Sequence, residues 1–268
     1  KIIVAKTEDS TKAITLQTLL TSLSSSNIIK SLDLQSKVLG MDYPVTLNEL
    51  LNMYIDPYLE VVLPSMTLYG DYEIGDEKEN ITTSSPKAIV KIDGSTITKD
   101  NKILGYLDLE ESKVLSMING KLKETIIKMN YNDDYIVFEP NRIKVSKELD
   151  IKNNIIKINI SGYSKTKEIQ SNINIKNPKE VEKLNKALNK ELEKKVTDTF
   201  TSIREKYDTD IFGFQELYYR TNYKYFKENC TNWYEDIYPK IKLEVKANIR
   251  LYEKGNTLGG LRYERKNK

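Results

Sequence analysis

The sequence predicts an α+β, multi-domain chain in which each unit is a mixed or antiparallel sheet with helices packed on it. Three observations lead there. Residues Ile241 to Arg250 alternate, with Ile241, Leu243, Val245, Ala247 and Ile249 on one face and Lys242, Glu244, Lys246, Asn248 and Arg250 on the other. Period two over such a run is a strand with one wet face. Upstream, Val181, Leu184, Leu188, Leu192, Val196, Phe200 and Ile203 recur at helical spacing behind Asn177-Pro178-Lys-Glu180, which supplies a cap, a first-turn proline and a first-turn acid. Strand and helix patterns then alternate irregularly over 268 residues, more than one average domain holds. Three units are expected: 1–64, 65–123 and 124–268.

In the first unit, Ile2-Ile-Val-Ala5 reads as a short interior strand, and Leu16, Leu19, Leu20 and Leu23 as a helix stripe ended by a Ser24-Ser-Ser26 break. Tyr43-Pro44-Val45 is extended. Thr46-Leu-Asn-Glu49 is a capping box, in which hydroxyl and carboxylate satisfy backbone amides at a helix start; the helix carries Leu47, Leu50, Leu51 and Tyr54 and stops before Pro57. The unit looks incomplete. Residues 65–84 read as a connector, where Asp71, Glu73, Asp76, Glu77 and Glu79 match no calcium-loop spacing and suit a solvated loop.

Lys87–Ile92 and Ser95–Thr98 read as two strands of a hairpin turning at Asp93-Gly94. Ile103–Leu107 is strand-like, and Asp108-Leu-Glu-Glu111 starts a helix bearing Leu109, Val114, Leu115 and Ile118. Glu110 and Glu111 are then helix-start carboxylates facing the macrodipole, not an acid–base pair. Strands follow at 125–131, 134–145, 154–163 and 167–175, with a bend near Gly162. The helix after Asn177 is followed by a second, at 213–235; both belong on one face of a sheet in which the Ile241–Leu251 strand is central.

Composition excludes several functions. There is no histidine and one cysteine, Cys230, which removes Ser–His and Cys–His nucleophile pairs, imidazole zinc sites and thiolate clusters. Cys230 reads as a small buried hydrophobe. Net charge is +3 with acids interspersed, so no nucleic-acid footprint is expected, and six of 42 basic residues are Arg. No apolar run is long enough for a membrane span. No catalytic residue, metal or cofactor is expected, since no spacing organises the remaining carboxylates, lysines and tyrosines.

Eleven of 24 aromatic residues fall within 207–238. Asp208 and Asp210 fit a break and cap between two helices. The order Asp210-Ile-Phe212-Gly213-Phe214, a Tyr/Lys-rich helix, Trp233 with an acidic pair, Pro239 and an alternating basic strand resembles the C-terminal signature of the spore-germination receptor C subunits, the Ger(x)C lipoproteins. Lys99-Asp-Asn-Lys102-Ile-Leu-Gly105-Tyr-Leu-Asp108-Leu-Glu-Glu-Ser112 and Val61-Val-Leu63-Pro64 resemble two further family segments. The resemblance implies a non-catalytic subunit of a nutrient germinant receptor. It implies two membrane-embedded partners of A and B type, and a place at the outer face of the spore inner membrane. It also implies that a signal sequence, a lipid-bearing cysteine and the first part of the N-terminal domain lie upstream. An extracytoplasmic lipoprotein that captures a small molecule itself is the alternative.

Asp210, Phe212, Gly213, Trp233 and Pro239 are the signature residues, expected to be structural. The tyrosines exceed what one helix buries. Tyr219, Tyr223 and Lys227 follow at four-residue spacing, so they share a helix face and are the candidate partner contact, against core packing.

Overall fold

The computed structural model describes residues 1–7, 24–35, 40, 45–71, 80, 87–100 and 102–253. The expected helix stripe at Leu16–Leu23, the Tyr43-Pro44 extension and the acidic cluster beyond Asp71 lie outside the described residues. The chain forms two compact units, one of Lys1–Ser116 with Thr209–Gly213 and one of Met117–Asp208 with Phe214–Lys268.

The first unit holds a sheet ordered β1 (Val4–Ala5), β2 (Val62–Gly70), β3 (Ala88–Lys99) and β4 (Lys102–Leu107), with β1–β2 parallel and the others antiparallel. Strands from both sides of residue 64 therefore share one sheet. Met66 is buried in it with Ile3, Ala5, Leu68 and Val90 packed around, so the expected connector at 65–84 begins instead as strand. Pro64 is accommodated because the register shifts between Pro64 and Met66.

Asp93-Gly94 is not a hairpin turn. β3 runs straight through it, and the pair forms the two-residue side of a bulge opposite Ser65. Gly94 has φ +91°, and a Cβ there would stand 2.1 Å from the Leu107 carbonyl oxygen, so only glycine fits. Helix α1 (Ser24–Leu34) starts where a serine break was expected. Helix α2 (Leu47–Ile55) has the predicted box: the Glu49 N–H donates to Thr46 Oγ1 at 3.2 Å, and the Thr46 N–H to Glu49 at 2.9 Å. Asp108 and Glu111 repeat the exchange at 2.9 and 2.8 Å at the start of α3 (Leu109–Ile118).

The second unit is built on β5 (Ile127–Tyr131), β6 (Asp134–Asp150), β7 (Ile155–Ile169) and β8 (Lys242–Glu253), in that order, antiparallel except for β7–β8. β6 and β7 are longer than expected. Gly162 is no bend, because the bulge at Arg142–Ile143 presses against it and a Cβ would meet the Asn141 carbonyl at 3.0 Å. Residues 170–175 leave the sheet.

The 30-residue helix α4 (Pro178–Tyr207) starts at its predicted cap, where Asn177 Oδ1 accepts the Lys179 N–H at 3.0 Å and Glu180 accepts the Asn174 N–H at 2.6 Å. Leu184, Leu188, Leu192, Val196, Phe200 and Ile203 are its buried stripe. It ends at Asp208, left-handed with φ 43°.

β8 keeps its predicted alternation: Ile241, Ala247 and Ile249 are buried, Leu243 and Val245 half-buried, and the charged residues exposed. It is not central. It lies at the end of the strand order, because α4 carries the chain from β7 to a parallel neighbour outside it. α4 lies along that outer edge. The N–H groups of Leu251, Ile249 and Ala247 donate to the side chains of Asn185, Asn189 and Glu193 at 3.0, 2.7 and 2.9 Å, and Arg204 donates to the Ile241 carbonyl at 2.7 Å.

Candidate interaction surface

The expected helix at 213–235 is three pieces: α5 (Phe214–Thr221), α6 (Tyr223–Asn229) and a π-helical turn, Trp233–Ile237, running into a 3-10 turn at Tyr238–Lys240. Asn222 makes the break. Its side chain accepts the Tyr225 N–H at 2.9 Å and caps α6, a local bond that competes with continuing the helix.

The aromatic residues pack on one another around Trp233. Tyr218 meets the Trp233 ring edge to face at 5.1 Å, Phe226 lies 6.5 Å from it and Tyr238 6.2 Å. Burial raises the Tyr218 phenol well above its ordinary range, and burial likewise raises the Cys230 thiol, which disfavours its thiolate form. Tyr218, Trp233 and Tyr238 are almost fully buried. Among the described residues the Trp233 indole N–H has no hydrogen-bond acceptor.

One residue the sequence reading missed ties this cluster to the sheet. Asn154, in the β6–β7 turn with φ 55°, accepts the Tyr218 hydroxyl, donates to the Ile237 carbonyl at 3.1 Å and accepts the Lys242 N–H on its own carbonyl at 3.0 Å. The signal was the polar Lys152-Asn153-Asn154 step between two alternating strands, since Asn tolerates the left-handed region.

Tyr219, Tyr223 and Lys227 do not share one helix face, because the Asn222 break separates the first from the other two. Ring packing joins the tyrosines again. Tyr219 meets Tyr223 edge to face at 5.4 Å and Phe226 at 5.6 Å. Tyr219 is half-buried, Tyr223 is 57% exposed and Lys227 is exposed. The result is an aromatic surface whose base is core and whose outer ring faces solvent beside a lysine.

The signature residues divide between the units. Asp210, 1% exposed, accepts the Phe212 N–H at 3.2 Å; Phe212 is fully buried and Gly213 has φ +69°. These three fall in the first unit, whereas Trp233 and the exposed Pro239 fall in the second.

A family model described as "Spore germination B3/ GerAC like, C-terminal" matches residues 93–255. The chain belongs to that family. Curated relatives of this GerAC-like chain include Spore germination protein KC of Bacillus subtilis (strain 168), 24% identical over 236 residues, covering 86% of this chain and 58% of the relative. Spore germination protein GerQC of Bacillus cereus is 25% identical over 174 residues, covering 63% and 47%. The chain thus spans about half the length of the curated relatives it matches. The crystal structure of the GerBC protein matches with a TM-score of 0.53 at 18% identity, over 73% of this chain and 56% of that one, which shows a shared α+β fold.

No helix among the described residues is long and apolar enough to cross a membrane. An open hollow of about 570 Å³ lies at the β5–β6 hairpin, lined by Lys128 and residues 130–135. Its walls are amide, charged and tyrosine side chains; Lys128 lies over the Tyr135 ring at 3.9 Å, and Tyr135 donates to Glu168 at 2.8 Å.

Proposed function

We propose that the chain is a non-catalytic subunit of a nutrient germinant receptor, attached to the outer face of the spore inner membrane by a lipid anchor upstream. It would assemble there with two membrane-embedded subunits through the surface of Tyr219, Tyr223 and Lys227. The family match over residues 93–255 carries the receptor reading. The surface assignment is supported by exposure: within an aromatic cluster that is otherwise packed inward, Tyr223 and Lys227 turn to solvent. Exposed tyrosine, an apolar ring with a polar tip, is a usual component of recognition surfaces.

The alternative, capture of a small molecule by this subunit alone, calls for a concave and mostly apolar pocket with a few convergent polar groups. The hairpin hollow is open and polar, so it does not favour that reading.

The test is co-purification from sporulating cells in mild detergent, with the wild-type protein and the Tyr219→Ser/Tyr223→Ser variant. Recovery of two membrane subunits with the wild type, and less with the variant at a melting midpoint within a few degrees, is the expected result. Failure of the wild type to bring down any membrane subunit overturns the receptor reading. Unchanged recovery with the variant puts the contact elsewhere, and parallel loss of stability makes this face ordinary core.

A further inference from the structure

The wet face of the second sheet is not evenly charged. It lies on the side away from the buried Ile156, Ile158 and Ile160, and alternate residues of β6, β7 and β8 reach solvent there. Near the β6–β7 turn the face mixes signs, with Glu148, Glu244, Lys157 and Lys242 all exposed. Around the bulge at Arg142 it carries one sign. Tyr163 pairs with Arg250 on one side and Asn141 on the other, Ser161 pairs with Lys144, and Lys165 pairs with Glu139. Arg142, Lys144 and Arg250 are exposed and form no ion pair among the described residues. The carboxylate in this band, Glu139, is held by Lys167 at 3.0 Å. Tyr163 and Tyr252, 45% and 53% exposed, stand among the cations. Their rings meet edge to face at 5.8 Å, and the Lys165 ammonium lies over the Tyr252 ring at 5.8 Å. The sequence beyond β8 stays basic, with Lys254, Arg262, Arg265, Lys266 and Lys268 against Glu264.

We propose that this band, Arg142, Lys144, Lys165 and Arg250 around Tyr163 and Tyr252, is a contact for the headgroups of an anionic phospholipid surface. Charge on a wet strand face guards against stray pairing whichever its sign, so that role does not explain a band of one sign. Lysine and arginine are drawn to an anionic bilayer surface, and tyrosine, with an apolar ring and a polar tip, settles at headgroup level. A single-stranded nucleic acid calls for open ring faces on which bases stack, whereas these tyrosines pack on each other and under Lys165. The choice of lipid rests on the membrane placement proposed above. The band shares no residue with the Tyr219–Tyr223 surface.

The test is co-sedimentation of the 268-residue chain with vesicles of phosphatidylcholine alone or in equal parts with phosphatidylglycerol. Wild type is expected to pellet with the mixed vesicles and not the neutral ones, and to be released as salt rises. Each cation lost near such a surface weakens binding about fivefold, so Lys144→Gln/Arg250→Gln should bind about 25-fold less tightly. Lys183→Gln/Lys190→Gln removes the same charge from the exposed side of α4 and should bind as wild type does. Absence of wild-type binding to the mixed vesicles, equal binding to the neutral ones, or equal weakening by both variants overturns the proposal. So does tighter binding of a single-stranded oligonucleotide, lost in the Lys144/Arg250 variant, which makes the band a nucleic-acid site. Should that variant fold poorly, the wild type decides: pelleting with mixed vesicles that salt does not reverse overturns the proposal. No other receptor subunit is present in this test, so its failure and failure of the receptor reading, seen in co-purification, stay distinct.

Discussion

The side-chain amide of Asn189 pairs with the peptide group of Ile249 on both sides, accepting its N–H at 2.7 Å and donating to its carbonyl at 3.2 Å. A helix side chain thereby makes the two bonds a neighbouring strand would make. Without it, both groups lie beside a helix with no partner.

Asn189→Leu keeps the volume and removes both bonds. Leaving part-buried backbone groups unsatisfied costs about 1–3 kcal/mol, and urea denaturation is expected to show a loss of that size with an unchanged slope. An unaltered midpoint would mean water satisfies Ile249 equally well.

Along β8 the cost of truncation should follow burial, not sequence pattern. Ile249 is fully buried and Val245 half-buried, although the alternation makes them look equivalent. Ile249→Ala should lose about 2–4 kcal/mol and Val245→Ala about half that or less. Equal losses would show that both positions face the same core.

That pair marks what the sequence discloses. Alternation identifies the wet face of a strand, and Thr46/Glu49 and Asn177/Pro178 mark helix starts, because these are local signals. β8's place at the end of the sheet is not local; it depends on which strand it pairs with. The bulge at Asp93-Gly94 looked like a turn because glycine's freedom serves both, and close approach of Leu107 decides between them. For the candidate surface, the spacing of Tyr219, Tyr223 and Lys227 was legible, but the Asn222 cap that breaks the helix was not. Asn185, Asn189 and Glu193 follow one another at four-residue spacing beside the apolar stripe, but nothing in that spacing says that they face backbone.

Trp233 anchors the aromatic cluster by ring area, and its indole N–H has no acceptor among the described residues. Trp233→Ala should therefore cost about 3–5 kcal/mol in thermal denaturation, and Trp233→Phe distinctly less, since no hydrogen bond is lost with the nitrogen. Similar losses for both would assign the nitrogen a role.

Tyr218 gives a pH signature. Burial raises its folded-state pKa above the value near 10 of an unfolded tyrosine. The folded state then holds the proton longer than the unfolded one, so this contribution is complete below about pH 10 and is lost as pH rises beyond it. The wild type should lose more stability between pH 9 and 11 than Tyr218→Phe, followed by melting midpoint. Parallel curves would show that Tyr218 ionises freely in the folded protein.

The receptor role itself is tested most directly in spores. With the wild-type gene replaced by the Tyr219→Ser/Tyr223→Ser form at equal protein level, loss of optical density after nutrient addition is measured beside a trigger that bypasses nutrient receptors. The account predicts slowed or abolished nutrient germination with an unchanged response to the bypass trigger. Normal nutrient germination in spores lacking the protein altogether, with no other receptor for that nutrient present, would contradict it.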